Sequence, residues 1–138
     1  MEYAIREYER SDREALMECM EKLQDYIAGV DPLKRVLLKP GFGEVYTAWL
    51  LNLITEGNGI IYVAERGGKI VGCVASTISV PAPHEVFGGA STYGRVHELY
   101  VDSDCRGEGI GKALMEMSVN YFRRNDCDVA LVEVFKPN

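Results

Sequence analysis

Apolar positions recur along this chain with two different periods, and the changes from one period to the other mark out most of its elements. Tyr3-Ala4-Ile5-Arg6 alternates and predicts a short first strand. Leu16, Cys19, Met20, Leu23 and Ile27 then recur at helical spacing; Ser11 stands three before Glu14, a capping-box spacing that opens this helix, and Gly29 and Pro32 end it. Residues 31–43 show no period and contain Pro40-Gly41-Phe42-Gly43. Residues 45–55 read as a second helix with Val45, Ala48, Trp49 and Leu53 facing inward, closed by Gly57; Trp49 and Phe42 read as core. Two β-branched runs, 60–65 and 69–80, are joined by the turn Arg66-Gly67-Gly68, and Pro81 and Pro83 stop the second. A loop over 82–94 with His84, Phe87 and Gly88-Gly89 precedes a fourth strand at 95–101. Ile110, Ala113, Leu114 and Met117 begin a helix that runs to about Arg124, and 129–135 predicts a fifth strand.

Composition narrows the class. A chain of 138 residues is one domain, able to bury roughly two-thirds of its unfolded surface in one core. Its net charge of −6 and the lack of a basic cluster argue against a nucleic-acid binder and mildly favour amine or basic-peptide partners. Cys19, Cys73, Cys105 and Cys127 are scattered with no C-x-x-C pair, so neither a zinc site nor a disulfide framework is expected, and no metal is. The charged start, Glu2 to Arg10, is unlike a signal peptide, and no apolar run is long enough for a membrane span. A cytoplasmic protein is expected.

The most informative stretch is Val101-Asp102-Ser103-Asp104-Cys105-Arg106-Gly107-Glu108-Gly109-Ile110-Gly111-Lys112, where a strand pattern enters a glycine-rich turn and then a helix. Glycine permits positive φ and keeps β-carbons away, so amides at the helix start can converge on an anion, aided by roughly half a positive charge. The P-loop pattern fails, because Arg106 stands five before Gly111 and Ala113 follows Lys112; the dinucleotide pattern from Gly107 would need a glycine where Lys112 stands. Arg106-Gly107-Glu108-Gly109-Ile110-Gly111 matches Q/R-x-x-G-x-G/A, with Val101 five before the arginine. The segment resembles motif A of the GNAT superfamily of acyl-CoA-dependent N-acyltransferases, and the order of elements resembles that family over nearly the whole chain.

The resemblance implies an α/β (α+β) fold, a mixed and mostly antiparallel sheet flanked by helices, with acetyl-CoA as cosubstrate and an amine of a small molecule, amino acid or peptide as acceptor. It implies coenzyme A pyrophosphate on the amides of the turn, with Arg106, Gly107, Gly109, Gly111 and Lys112 as the contacting set. It also implies pantetheine along the main chain of Leu99 and Val101, and a contact from Asn138. The first two helices and their connection would wall the acceptor site, and the 82–94 loop is a candidate flap. His97 matches the position at which several members carry a proton-accepting glutamate or histidine; strict alternation puts His97 on one face and Glu98, the second candidate, on the other. After Asn138 the family pattern continues with a helix, a tyrosine general acid and two strands, so a C-terminally truncated form is expected. Its fifth strand would then present an open edge suited to a homodimer or a completing partner. An alternative to catalysis is a CoA-binding module that pairs with another chain.

Overall fold

A computed structural model describes residues 2–80 and 92–132. Strand β1 (Ala4–Glu7) is followed by helices α1 (Arg13–Val30) and α2 (Phe42–Glu56), the hairpin β2 (Ile60–Arg66) and β3 (Lys69–Ser79), and strand β4 (Tyr93–Val101). Helix α3 (Ile110–Arg124) and strand β5 (Ala130–Val132) complete it. The sheet order is β1-β2-β3-β4-β5; the first four strands are antiparallel neighbours, and β5 runs parallel to β4. β3 is covered on both faces, which is why seven consecutive residues, Val71 to Thr77, are buried without alternation. On one face Leu16, Cys19, Met20 and Leu50 from α1 and α2 pack on Val63, Cys73, Ala75 and Tyr100. On the other, Ile110, Leu114 and Phe122 of α3 pack on Tyr62, Val74 and Val96.

Two expectations change. The start of α1 is organised by Asp12 rather than by Ser11 and Glu14. The Asp12 carboxylate accepts the Glu9 amide at 2.7 Å and both arms of the Arg6 guanidinium at 2.8 and 2.9 Å, so a 3-10 turn over Arg10–Asp12 precedes the helix. The face of α2 is also rotated: Gly43, Thr47 and Leu50 point inward, while Val45, Ala48 and Trp49 are exposed and Leu53 is half-buried. Gly43 faces α1 closely, and a β-carbon there would overlap the Glu21 side chain. Of the fifth strand, Ala130–Val132 pairs with β4 and Val129 precedes it, its carbonyl accepting the Gly94 amide at 2.9 Å; residues 133–135 of the predicted span lie outside the described residues, as do Asn138 and the loop residues His84 and Phe87.

All four cysteines are free, three of them buried. Among the described residues no helix is long and apolar enough to cross a membrane, and no three His, Cys, Asp or Glu side chains gather as a metal would require.

Candidate active site

The Arg106–Lys112 turn lies where β4 ends and α3 begins. The Asp102 amide donates to the Val71 carbonyl at 2.8 Å, closing the strand, and a 3-10 turn over Ser103–Cys105 leads into the glycines. Gly107 and Gly109 have φ of +82° and +85°, values that side chains disfavour, and a β-carbon at either would meet no protein atom within 4 Å. Gly109 caps α3, and helix geometry leaves the amides of Ile110, Gly111 and Lys112 without intrahelical acceptors. These amides, with the exposed Arg106 and Lys112, edge a cleft of about 460 Å³ whose other wall includes Leu23 and Tyr26 of α1. The Arg106 guanidinium lies 5.4 Å from the Tyr26 ring centroid, and its Nε donates to the Val101 carbonyl at 3.2 Å. An open glycine turn with two flanking cations is a fit for a pyrophosphate.

Arg66, legible in the sequence only as part of a hairpin turn, reaches this turn from the end of β2. Its guanidinium donates to Glu108 Oε1 at 2.7 Å and to Cys105 Sγ at 3.3 Å, while its buried Nε has no partner among the described residues. The hydrogen bond from Arg66 holds the Glu108 carboxyl below its ordinary value; burial pushes the Cys105 thiol up. A long-range ion pair of this kind leaves no signal in sequence spacing.

Along β4 the cleft continues past the half-exposed Leu99. β3 flanks β4 through Val101, whereas β5 pairs only with Gly94–Val96. Among the described residues, the other edge of β4 therefore has no strand beside it from His97 to Val101. Splayed strands offer main-chain donors and acceptors to an extended ligand, the geometry of strand addition.

His97 is the site of a β-bulge. Ala75 pairs with Glu98 and Ser76 with Val96, so His97 is the extra residue opposite no partner in β3. The expected alternation is broken there, and His97 and Glu98 share the α1/α2 face. Glu98 accepts a hydrogen bond from Tyr46 of α2, and His97 Nε2 lies 2.7 Å from Thr77 Oγ1, whose side chain packs at Gly57 where α2 ends. Before the bulge Gly94 and Val96 face α3, and beyond it Val101 does.

Glu98 lines a second cavity of about 310 Å³ with Leu23, Phe42 and Tyr46, and Leu23 also lines the glycine-turn cleft. Burial raises the Glu98 carboxyl above the ordinary 4.5, against the opposing effect of the Tyr46 hydrogen bond. Burial and the same bond raise the Tyr46 hydroxyl further, so it stays protonated and donates at all physiological pH. The segment between α1 and α2 that roofs this cavity is tied down by Asp31. Its carboxylate accepts the amides of Leu33, Arg35 and Val36 at 3.1, 2.6 and 3.1 Å, and the Arg35 guanidinium at 3.2 Å.

A family model for the acetyltransferase (GNAT) family matches residues 13–138. The chain belongs to the GNAT acetyltransferase family. Its relatives include an uncharacterised N-acetyltransferase of Archaeoglobus fulgidus, 36% identical over 93 residues that make up 67% of this chain and 58% of the relative. The chain spans about half the length of the curated relatives it matches. Its fold resembles that of a GCN5-related N-acetyltransferase from Ralstonia eutropha, with a TM-score of 0.76 and 24% identity, covering 96% of this chain and 84% of that one. It also resembles a predicted acetyltransferase from Clostridium acetobutylicum solved with acetyl-CoA, with a TM-score of 0.75 and 17% identity, covering 98% and 82%. GNAT enzymes use acetyl-CoA, and in this GNAT chain the expected residues Leu99, Val101, Arg106, Gly107, Gly109, Gly111 and Lys112 all line one cleft.

Proposed function

We propose that this chain is an N-acetyltransferase that moves an acetyl group from acetyl-CoA to the primary amine of a small molecule. The observation that carries this reading is that Glu98 lies in the cavity adjoining the glycine-turn cleft, with Leu23 lining both. Acetyl-CoA supplies an activated thioester carbonyl. The amides from Gly107 to Lys112, with Arg106 and Lys112, hold the pyrophosphate, and the edge of β4 at Leu99 and Val101, which has no strand beside it among the described residues, holds the pantetheine arm. Glu98 takes the proton of the acceptor ammonium, directly or through one water. The freed nitrogen forms a bond to the carbonyl carbon and gives up its second proton as the carbon–sulfur bond breaks; CoA leaves as the thiolate, which takes up that proton by way of solvent, and Glu98 returns its own proton to solvent. A carboxylate raised by burial is a stronger base than an exposed one while remaining able to ionise, which suits this role. His97 is assigned a positioning role: its contact with Thr77 holds the bulge that turns Glu98 toward the cavity. Asn138 remains a proposed pantetheine contact. Homodimer pairing at β5 is a further proposal, supported by the half-exposed Val132 at the last described strand. The compartment this reading assigns is the cytoplasm, where four free thiols stay reduced.

Amine-dependent release of free thiol from acetyl-CoA tests the proposal. Turnover with a primary amine supports it; acetyl-CoA binding with no thiol release for any amine in a broad panel would leave the CoA-binding module instead.

A further inference from the structure

The rotation of α2 that exposes Trp49 creates a surface the acyl-transfer chemistry does not use. Phe42 stacks on Tyr46 with ring centroids 5.1 Å apart and planes inclined by 13°; Tyr46 in turn meets Trp49 at 5.3 Å and 39°. The three rings form a ladder along α2, and with Val45 and Pro40 they line an open groove of about 520 Å³. Trp49 is 51% exposed and Val45 73%. Exposed aromatic ladders of this kind are uncommon on a surface with no ligand to cover them.

The groove adjoins the site. Phe42 and Tyr46 line both it and the Glu98 cavity, and Tyr46 joins the two chemically: its ring is the middle rung of the ladder and its hydroxyl donates to Glu98. The charges fix the direction of an occupant. Among the described residues lining the groove, Lys39 is the one charged side chain, so an ammonium is disfavoured there and favoured beside the Glu98 carboxylate. A flat ring extends the ladder by offset stacking, which a narrow polar chain cannot do.

We propose that the acceptor is a small arylalkyl amine, its amino group at Glu98 and its ring against Trp49. The inference rests on the transferase reading for the role of Glu98, while the ladder itself binds whether or not turnover follows.

Trp49 is the chain's one tryptophan, so its fluorescence reports occupancy of the groove without any need for catalysis. Phenethylamine and ethanolamine, both primary amines, are titrated into the full chain without acetyl-CoA and then assayed with it for thiol release. Expected are saturable Trp49 quenching by phenethylamine at a concentration at least about tenfold below any effect of ethanolamine, and a matching preference in kcat/KM. Val45→Lys, which keeps the reporter and places a charge in the groove, should weaken phenethylamine quenching about tenfold. Trp49→Ala should collapse the kcat/KM preference. Selective quenching without thiol release would uphold the groove and overturn the transferase. Thiol release from both amines with equal kcat/KM and no selective quenching would uphold the transferase and overturn the groove assignment.

Discussion

Replacing Tyr46 by phenylalanine removes one oxygen and leaves the ring that stacks between Phe42 and Trp49 in place. The lost hydroxyl is the hydrogen-bond donor to the Glu98 carboxylate. Hydrogen bonds to a charged group contribute about 1.5–3 kcal/mol, and Glu98 is only half-buried, so water recovers part of this and the lower end applies. The bond favours the ionised carboxylate, so its loss drives the Glu98 pKa further above 4.5. Glu98 acts as the base when ionised; activity therefore rises with pH through its pKa, and Tyr46→Phe moves that rise to higher pH. On the acid limb the variant should turn over about tenfold more slowly than wild type, at about 1.4 kcal/mol per decade, with the difference shrinking as pH rises. Initial rates of amine-dependent thiol release across a pH series, with circular dichroism melts as a control for folding, provide the assay. An acid limb at the wild-type position, or one moved to lower pH, would refute Glu98 as the base held by Tyr46.

Arg66→Met keeps the apolar stem but removes the donor to Glu108 and Cys105; the KM for acetyl-CoA should rise roughly tenfold with kcat nearly unchanged, as steady-state kinetics would show, because the turn is misplaced and the base is not. Thr47 is buried in α2 with a hydroxyl that has no partner among the described residues, so Thr47→Val should raise unfolding stability by about 1 kcal/mol in urea titration. Light scattering at tens of micromolar should find a dimer if β5 pairs with a second copy, and charged replacement of Val132 should dissociate it; a monodisperse monomer removes that proposal.

The fold was legible where one period dominates. The apolar face of α1, the β2–β3 hairpin and the β4–turn–α3 unit follow from spacing and glycine chemistry, and the cleft at the turn gathers the residues that the motif singles out. What spacing could not carry was geometry set across the sheet. A bulge at His97 has no signature in a short strand, yet it turns Glu98 to the face of His97 and toward Tyr46. The orientation of α2 is set by packing across the sheet and against α1, where Gly43 comes close to Glu21, so Trp49 read as core although it lines a groove. The Arg66–Glu108 pair joins residues 42 apart in the chain.

Removal of the Glu98 charge carries its own sign. Because the folded carboxyl sits above 4.5, the stability linked to its protonation is fully present below that value and is lost as pH rises through the folded pKa. Glu98→Gln should therefore be at least as stable as wild type at neutral pH, which separates a loss of chemistry from a loss of fold. The most direct test is mass-spectrometric measurement of N-acetylated product from acetyl-CoA and a panel of primary amines, for wild type and for Glu98→Gln with CoA binding checked in both. Product from wild type, reduced at least about a hundredfold in Glu98→Gln with CoA binding intact, is the predicted result. No product from wild type, or equal product from the variant, would contradict acetyl transfer at Glu98.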